Sequence, residues 1–401
     1  MDENGIDACV ISGKGTHNPS MAYMTKGAFI NEGIIVKKRE EDAILFHAAM
    51  ERDSVLETGL KLQIAQDTIP NYWEITKSES DGALRSAKLL KSLLNHLGVE
   101  GTVAFFGTAE KGTAYRMLSF LKEEAQIEIY QGSVDIILLS RQTKDSEEIA
   151  RINHVAKETG KILSTVRSFL GSLHEEDGYA VRPKGNRVSL GKIRELIRLE
   201  LFKCGLLEDH PTIFSMGRDA GVPHNRGNDN DFLQTGKAII MDIFPNEPNS
   251  YFFDCTRTFC LGYAPSEVES LYTDVLETQE AVLEEINAGV PHGQLLAKAC
   301  EHFEQRNHPT FRTAPGTTNG FCHGLGHGIG LEIHEEPFFS LSKLKDHQSV
   351  IRIGEVFTIE PGLYYPEREM GVRLEDVVAI TEEGMKNLSP FPKDLVIPLK
   401  G

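Results

Sequence analysis

The sequence predicts an α/β protein of two domains, and two observations predict it. In the first third of the chain, short runs rich in β-branched and aromatic residues alternate with stretches in which leucines recur at helical spacing. In the remainder, two helical stretches followed by two strand-like stretches occur twice in succession. The second part is therefore predicted to contain two similar halves related by a pseudo-two-fold, with a site between them.

The N-terminal part is predicted to be an α/β domain that ends near Arg141. Strands are predicted for five segments rich in valine, isoleucine and phenylalanine: 7–12, 33–36, 42–46, 102–106 and 134–138. Leucine spacing predicts helices over 83–97 and 113–124. A polar segment, 141–145, separates this domain from the rest, so the predicted domains are 1–141 and 142–401.

The second domain is predicted to begin with a long helix. Asp145, followed three residues later by Glu148, has the spacing of a capping box, and Ser266 with Glu269 repeats it before a later helix. The predicted helices are 146–173, 189–204, 266–287 and 294–306. The predicted strands are 238–244, 251–261, 355–360 and 371–380.

Composition excludes several classes of protein. The chain has 401 residues and a net charge of −17, which repels nucleic acid and acidic membrane surfaces at long range. Six scattered cysteines without a Cys-x-x-Cys pair predict reduced thiols. An apolar run of the ~18 residues that a membrane helix needs is absent from the sequence, and the start lacks the pattern of a secretory signal. A cytoplasmic location is therefore predicted, with neither nucleic acid nor membrane as partner.

The segment 321–335 is the most unusual stretch of the sequence. It places His323, His327 and His334 among alternating glycines, together with two glutamates. Alternating glycines do not fit a dinucleotide-binding loop, and the Gly-Leu-Gly between the first two histidines does not fit a zincin helix. A single histidine is more often structural than a metal ligand. The function of this segment therefore depends on partners elsewhere in the chain.

Four carboxylates supply candidate partners. Asp242, Asp254, Glu360 and Glu375 each lie in or beside a predicted apolar strand, where an unpaired buried charge costs several kcal/mol. A salt bridge would explain any one of them, but it explains four together poorly. Four carboxylates and one histidine suffice to bind two divalent metal ions about 3.5–4 Å apart. The sequence therefore predicts a dinuclear metal site.

The motifs around these residues resemble the pita-bread metallopeptidases, the group that includes aminopeptidase P, prolidase and methionine aminopeptidase. The resemblance spans residues 242 to 376 in the family's order. It implies an N-terminal creatinase/prolidase-like α/β domain over 1–141 and a catalytic pita-bread domain over 142–401. The matching pieces are Asp242, 254–259 (Asp-Cys-Thr-Arg-Thr-Phe), 323–335, 359–364 (Ile-Glu-Pro-Gly-Leu-Tyr) and 371–376 (Gly-Val-Arg-Leu-Glu-Asp).

The resemblance also implies roles for particular residues. The implied metal ligands are Asp242, Asp254, His327, Glu360 and Glu375, with Asp254 and Glu375 bridging both ions. The implied catalytic residues are His224, His334 and Glu360, and the implied substrate-binding residues are His224, His323, His334 and Arg373. On this hypothesis Glu360 accepts the proton of the attacking water, and His224 or His334 stabilises the oxyanion. Oxygen-dominated ligands favour manganese, with cobalt or zinc as alternatives.

The two-domain layout favours the proline-directed branch of the family, because methionine aminopeptidases usually lack the first domain. Creatinase does not keep the metal ligands, which this chain retains. The resemblance thus implies an Xaa-Pro dipeptidase or Xaa-Pro aminopeptidase that hydrolyses small proline-containing peptides through a metal-bridging hydroxide. The residues at 326–330 resemble those of prolidase more than those of aminopeptidase P. Dimers are frequent among such proteins, so a homodimer is one assembly open to this chain.

One departure from the family pattern keeps an alternative open. The family usually has Asp-x-Gly at the first ligand, whereas this chain has Asp242-Ile243-Phe244-Pro245 and one extra residue before Asp254. We expect altered loop geometry and altered substrate preference there. A non-catalytic pita-bread module that binds peptides or proteins is the alternative function, and a metal-free creatinase-like hydrolase is a more distant one.

Overall fold

The computed structural model describes residues 1–346 and 348–400. Within them the chain forms two compact units, Met1–Arg141 and Gln142–Gly401. None of the helices in these ranges is both long enough and apolar enough to cross a membrane. Short 3-10 helices connect the main elements at Asp2–Asn4, Ala49–Glu51, Leu56–Thr58, Asp219–Gly221, Leu341–Lys345 and Pro366–Arg368.

The first unit is a mixed sheet with helices. Its six strands are β1 (Ala8–Gly13), β2 (Gly33–Lys38), β3 (Ile44–His47), β4 (Lys61–Ile64), β5 (Gly101–Phe106) and β6 (Ile127–Ile129). They lie in the order β4-β3-β2-β1-β5-β6, and β1 pairs antiparallel with β2 and parallel with β5. The helices are α1 (Pro19–Thr25), α2 (Ala65–Thr68), α3 (Tyr72–Ser78), α4 (Gly82–His96), α5 (Lys111–Glu124) and α6 (Ile136–Gln142).

Helix α4 shows why the leucine pattern predicts this unit well. The Asp81 side chain accepts hydrogen bonds from the first backbone amides of the helix, which would otherwise lack partners. Leu90, Leu93 and Leu94 then lie on one face and are buried in a core shared with Val10 of β1. The predicted helices 83–97 and 113–124 are confirmed as α4 and α5.

Four of the five predicted strands are confirmed as β1, β2, β3 and β5, and the fifth prediction is wrong. Segment 134–138 contains the start of helix α6 instead. The Asp135 side chain accepts hydrogen bonds from the backbone amides of Ile137 (3.0 Å) and Leu138 (2.9 Å), which caps the helix. A short apolar run cannot distinguish strand from helix, and the capping aspartate decides the outcome here.

The second unit begins with the predicted long helix. Its helices are α7 (Ser146–Gly171), α8 (Leu190–Lys203), α9 (Ser266–Leu283) and α10 (His292–Gln305). The capping box of Asp145 and Glu148 is confirmed, with both reciprocal hydrogen bonds present. The predicted cap of α9 is wrong: Pro265 occupies the N-cap position, and it has no side-chain acceptor for the first amides.

Thirteen further strands complete the second unit. A four-stranded sheet has the order β19-β11-β10-β9, a five-stranded sheet has the order β13-β12-β14-β17-β18, and β7-β8 and β15-β16 form separate pairs. The strands are β7 (His174–Glu176), β8 (Tyr179–Val181), β9 (Ile213–Met216), β10 (Ile239–Ile243), β11 (Cys255–Leu261), β12 (His327–Gly328), β13 (Glu335–Phe338), β14 (Val356–Ile359), β15 (Gly362–Tyr365), β16 (Met370–Arg373), β17 (Asp376–Thr381), β18 (Gly384–Asn387) and β19 (Val396–Ile397).

The two sheets belong to two successive halves, as the recurring element pattern predicts. The antiparallel pair β10/β11 follows α7 and α8, and the antiparallel pair β14/β17 follows α9 and α10. The halves join where the Glu375 backbone amide donates to the Thr256 carbonyl oxygen (3.1 Å). The buried Arg257 side chain reaches Asp376 across the same junction (2.9 Å). Residues at these strand ends therefore come together from both halves.

Two predicted strands have different limits in the structure. The segment 251–261 becomes a strand only at Cys255, because the amides of Phe252 and Phe253 donate to loop carbonyls instead of a neighbouring strand. The segment 371–380 is interrupted between β16 and β17. The sequence predicted that Asp254 and Glu375 lie inside strands. This prediction is wrong, because both residues lie just outside a strand end.

Candidate metal centre

The five residues predicted to be metal ligands line one open cavity of about 520 Å³ in the second unit. Each comes from a strand or from the residue next to a strand, so the backbone around it is held by sheet hydrogen bonds. Asp242 lies in β10, Asp254 precedes β11, His327 begins β12, Glu360 follows β14, and Glu375 separates β16 from β17.

Three of these side chains are close enough to share one cation. One ligand atom from each of Asp254, His327 and Glu375 lies within 4.8 Å of the other two. The Nε2 atom of His327 is 3.9 Å from Asp254 Oδ2 and 3.6 Å from Glu360 Oε1. These distances leave room for a metal ion between the atoms, because ligand atoms bound to one ion are held apart by its diameter.

The His327 ring is prepared to act as a ligand. Burial, together with the neighbouring His334, lowers the pKa of His327 to about 3, so the ring is neutral at physiological pH. Its Nδ1 atom is 3.0 Å from the Gly328 carbonyl oxygen and donates the single ring proton there. The Nε2 lone pair consequently points toward the carboxylates and is free to bind a cation.

The buried carboxylates need a positive charge. Among the described residues that line this cavity, three buried carboxylate oxygens lack any hydrogen-bond partner: Asp242 Oδ1, Asp254 Oδ1 and Glu375 Oε1. Burial and the nearby Glu375 and Asp242 raise the pKa of Asp254, and burial with Glu360 and Asp242 raises the pKa of Glu375. Burial raises the pKa of Glu360 to about 8 despite the opposing effect of Arg373. This donor set fits hard divalent cations, which would satisfy the unpartnered oxygens.

Arg373 holds part of the acidic cluster in place. Its guanidinium donates to Asp242 Oδ2 (2.6 Å) and to the Thr256 hydroxyl (3.1 Å). The Thr256 hydroxyl donates in turn to Glu375 Oε2 (2.9 Å). One oxygen of each carboxylate is therefore fixed by the protein, and the other oxygen is left for a metal ion.

Tyr364 links the same arginine to His323. The Arg373 guanidinium donates to the Tyr364 hydroxyl (2.7 Å), which donates to His323 Nε2 (2.8 Å). The other ring nitrogen of His323 donates to the Gly324 carbonyl oxygen (2.7 Å). Burial and the charge of Arg373 lower the pKa of His323 to about 3. The sequence pattern predicts no role for Tyr364, although Tyr364 ends the segment 359–364 that resembles the family.

Three exposed histidines stand on the cavity wall. His224 and His334 were predicted there, and His210 was not. The His334 ring packs edge-on against the His327 ring, with 4.3 Å between ring centroids. Partial burial of the ring, with His210 and His224 nearby, lowers the pKa of His334. His210 stands outside every quoted motif, so its position gave no sequence signal.

The departure at Phe244 also changes the cavity wall. Its ring lines the cavity 6.3 Å from the His210 ring, which lies 6.3 Å from the Phe252 ring on its other side. An aromatic group therefore stands where the family pattern has glycine. Phe244 and His210 thus form one wall of the cavity, and the altered loop geometry stays a prediction.

The fold and the acid-rich cavity define this protein as a metalloenzyme. The pattern of metallopeptidase family M24 matches residues 157–382, more than half of the chain, and the chain belongs to that family. The predicted pita-bread metallopeptidase class is therefore confirmed. Divalent metal ions are the cofactors that this family membership implies.

Individual relatives cover nearly the whole chain. Over 396 residues it is 26% identical to an Xaa-Pro dipeptidase of Pyrococcus furiosus, an alignment that covers 99% of this chain and 97% of that protein. An X-Pro aminopeptidase structure from Thermotoga maritima has a TM-score of 0.75 at 24% identity and covers 98% of this chain and 99% of its own. The prolidase structure from Pyrococcus furiosus has a TM-score of 0.72 at 24% identity, with 98% of both chains covered. These similarities confirm the predicted fold class.

Proposed function

We propose that this metallopeptidase hydrolyses the peptide bond before proline in small peptides, using two divalent metal ions. The observation that carries the proposal is the buried cluster of Asp254, His327 and Glu375, whose unpartnered oxygens face an open cavity. The substrate class is supported by the Xaa-Pro dipeptidase that matches the chain over nearly its full length.

Two ions need shared ligands, and the geometry offers them. Asp254 and Glu375 each have a carboxylate oxygen that lacks a partner among the described residues, and both lie at the junction of the two halves. We assign them as bridging ligands. Five donors with a single imidazole favour manganese, with cobalt or zinc as alternatives. The full set is Asp242, Asp254, His327, Glu360 and Glu375.

Two divalent ions held by these residues would activate a water as nucleophile and polarise the scissile carbonyl. Glu360 then accepts the proton of the attacking water and delivers it to the proline nitrogen as that nitrogen leaves. Its raised pKa, about 8 without metal, shows how little solvent stabilises its charge.

Two histidines of the cavity wall, His334 and His224, contact the scissile carbonyl and the substrate around it in this proposal. His334 packs on His327 and therefore lies close to the metal ligands, with a lowered pKa that keeps it neutral. Its N–H donates to the oxyanion that develops on the scissile carbonyl, and His224 contacts the substrate beside it. Both nitrogens of His323 are already engaged, so His323 acts with Arg373 in positioning Tyr364 and Asp242.

The proposal also covers the two domains, the branch of the family, the location and the assembly of the protein. Residues 142–401 contain all five ligands and form the catalytic domain, and 1–141 form the creatinase/prolidase-like domain. The relatives include both an Xaa-Pro dipeptidase and an X-Pro aminopeptidase, so both branches stand. A cytoplasmic location, which the six free cysteines support, and a homodimer complete the proposal.

The proposal is tested by removing and restoring the metal. We expect that a chelator abolishes cleavage of Ala-Pro and Ala-Pro-Ala, that Mn²⁺ restores it, and that Ala-Ala is never cleaved. The preferred length identifies the branch. Metal binding without cleavage of any proline peptide would contradict the proposal and favour the binding module instead.

A matched pair of variants ties the activity to the cluster. Asp254→Asn should abolish metal binding and turnover, whereas Asp394→Asn should leave both unchanged, because Asp394 pairs with Arg167 at the surface. Full turnover by the Asp254 variant would overturn the ligand assignment.

A further inference from the structure

Arg226 lines the mouth of the metal-site cavity, and its side chain is exposed there. Within residues 1–346 and 348–400, its guanidinium makes neither a hydrogen bond nor an ion pair. Asp229, three residues further on, is already engaged by Arg194. Arg226 therefore presents an uncompensated positive charge to whatever enters the cavity.

The backbone that carries Arg226 is held firmly. The buried Arg194 side chain donates to the carbonyl oxygens of Arg226 and Gly227 and to that of Phe214 in β9 (3.0 Å). Gly227 has a φ of +73°, and a Cβ there would lie 3.2 Å from the Phe214 carbonyl oxygen, so the turn requires glycine. A rigid turn fixes the start of the arginine side chain, which reduces the entropy lost when it binds a ligand.

The same turn carries His224, which we assign as a substrate contact. Asn225 between them donates its side-chain amide to Asp219 (2.9 Å) and accepts the Gly227 amide (2.9 Å). His224 and Arg226 are thus two residues apart on one braced turn, and both line the cavity. A substrate that contacts one of them is within reach of the other.

Charge in the cavity is divided between its floor and its mouth. The floor carries Asp242, Asp254, Glu360 and Glu375, which attract cations and repel anions. The mouth carries the guanidinium of Arg226. Two divalent ions bound at the floor would offset these four carboxylates, whereas Arg226 keeps its charge, so an anionic group of a substrate is stabilised at the mouth.

Proline on the leaving side of the scissile bond has a limited set of recognition groups. Its nitrogen has no hydrogen when acylated, and its ring is apolar. In a dipeptide the remaining polar group is the terminal carboxylate, which is ionised at neutral pH because its ordinary pKa is about 3.5. A guanidinium binds a carboxylate through two parallel hydrogen bonds, a geometry that lysine cannot reproduce.

We infer that Arg226 binds the terminal carboxylate of the substrate and thereby favours Xaa-Pro dipeptides over longer or blocked peptides. The inference rests on the proposed function and names a specificity-determining residue for it. An acidic side chain on the substrate is the other source of the same chemistry, and the test separates the two.

The test compares Ala-Pro with Ala-Pro-amide, which differ only in the terminal charge. In the manganese-restored enzyme, Arg226→Met should lose about 10–100-fold in kcat/KM on Ala-Pro, mainly through KM, because it loses charged hydrogen bonds. Its kcat/KM on the amide should not change. Arg226→Lys should recover part of the loss. Arg218→Met is the matched control, since Arg218 is exposed, pairs with Asp219 and does not line this cavity.

The outcomes that overturn the inference are distinct. Equal losses on both substrates, or no loss on either, would show that Arg226 does not bind the terminal carboxylate. A loss confined to Glu-Pro-amide would show that the guanidinium binds an acidic side chain instead.

Failure of the proposed function would be visible separately, because the wild-type enzyme would then cleave neither Ala-Pro nor its amide. Calorimetry with free proline and prolinamide decides in that case. Tighter binding of proline that is lost in Arg226→Met supports the inference, and equal binding of the two ligands overturns it.

Discussion

Glu375 is placed to bind a metal ion, and the same buried carboxylate destabilises the protein when the metal is absent. Its carboxylate is buried, receives one hydrogen bond from Thr256, and lies among Glu360 and Asp242, which with burial raise its pKa. The ionised form of Glu375 therefore destabilises the metal-free protein until a cation binds. The same balance applies to Asp254, which has its own unpartnered oxygen among the described residues.

Replacing Glu375 by glutamine should therefore have opposite effects on metal binding and on metal-free stability. We expect Glu375→Gln to lose Mn²⁺ binding by calorimetry, and to unfold at a higher temperature than the wild type in chelator at pH 8, because a buried negative charge is removed. Glu195→Gln, at an exposed position paired with Lys192, should change neither quantity. A lower melting temperature in chelator would show that Glu375 does not repel its neighbours.

Phe244 should decide which residue precedes proline in the substrate. Its ring narrows the cavity beside His210, so Phe244→Ala should raise the ratio of kcat/KM for Phe-Pro over Ala-Pro by making room for a larger side chain. Steady-state kinetics on the two dipeptides measures the ratio. Phe232→Ala serves as the control, because Phe232 is exposed and lines a different cavity. An unchanged ratio would place the aromatic wall away from the substrate.

The sequence predicted the acids better than it predicted their supporting residues. Asp242 is conspicuous because it interrupts an apolar strand, and a buried unpaired acid needs an explanation. Tyr364 is an aromatic residue in an apolar strand, where it reads as core, and only its contacts with Arg373 and His323 reveal a polar role. His210 reaches the cavity through a loop whose path no local pattern encodes.

Helix α7 shows how a local capping signal can predict a long element. Asp145 and Glu148 exchange hydrogen bonds (2.8 and 2.9 Å) that depend only on residues near the helix start, so sequence spacing is sufficient to find them.

The predicted strand 251–261 began too early for the opposite reason, since its first residues are held by contacts outside any strand. The backbone amides of Phe252 and Phe253 donate to the carbonyl oxygens of Gly330 and Pro245, and such contacts with loops leave no periodic pattern in the sequence.

Removing the cap of α7 should lower stability without changing the chemistry of the site. We expect Asp145→Ala to cost about 1 kcal/mol of unfolding free energy. Urea denaturation measures the loss, and kcat on Ala-Pro at 25 °C should stay unchanged. Lys157→Ala, at an exposed position of the same helix, is the control and should be close to neutral. A stability equal to wild type would show that Glu148 alone suffices at the helix start.

A buried ion pair connects the segment before α7 to strand β13. The Lys144 ammonium donates to Glu335 Oε1 (2.6 Å), and each side chain is only 1% exposed. Glu335 follows His334 directly, so the pair fixes the strand that carries a proposed catalytic histidine.

Breaking that pair should be more harmful than removing it. Lys144→Met should lose about 3–5 kcal/mol because it removes one member of a buried ion pair, whereas the double variant with Glu335→Gln should recover much of this loss. A double-mutant cycle from chemical denaturation measures the coupling. We also expect kcat to fall in the single variant, because His334 loses its support. Additive effects of the two substitutions would indicate that the pair contributes nothing specific.

The two halves of the second unit explain why its site could be located from sequence. Recurring helix-helix-strand-strand order predicts two sheets, and ligands on strands of both halves then meet where the halves join. The sequence could not show the depth of the cavity or the lining of its mouth. Those features depend on turns such as the one at Gly227, whose conformation depends on distant contacts with Arg194 and Phe214.

The acidic cluster makes the stability of the metal-free protein depend on pH in a particular direction. The pKa of Glu360 is about 8 in the folded state against 4.5 ordinarily, and those of Asp254 and Glu375 are also raised. The folded protein therefore holds protons that the unfolded chain has released. These carboxylates make stability fall as pH rises from about 4.5 toward 8. His323 and His327, whose pKa values are lowered to about 3 from 6.5, make stability rise with pH up to about 6.5. A net fall of on the order of a few kcal/mol is therefore expected between about pH 6.5 and 8.

Metal ions should reverse this dependence. Their ligands bind deprotonated, so affinity rises with pH and binding stabilises the folded state more at high pH. We expect the gap in melting temperature between Mn²⁺-restored and chelator-treated protein to widen from pH 5.5 to pH 8, as measured by differential scanning fluorimetry. Glu360→Gln should reduce the fall in metal-free stability between about pH 6.5 and 8, because it removes a carboxyl group whose pKa burial raises to about 8. A gap that stays constant across this range would mean that the buried carboxylates are already ionised in the metal-free protein, and that a cation from the protein itself compensates them.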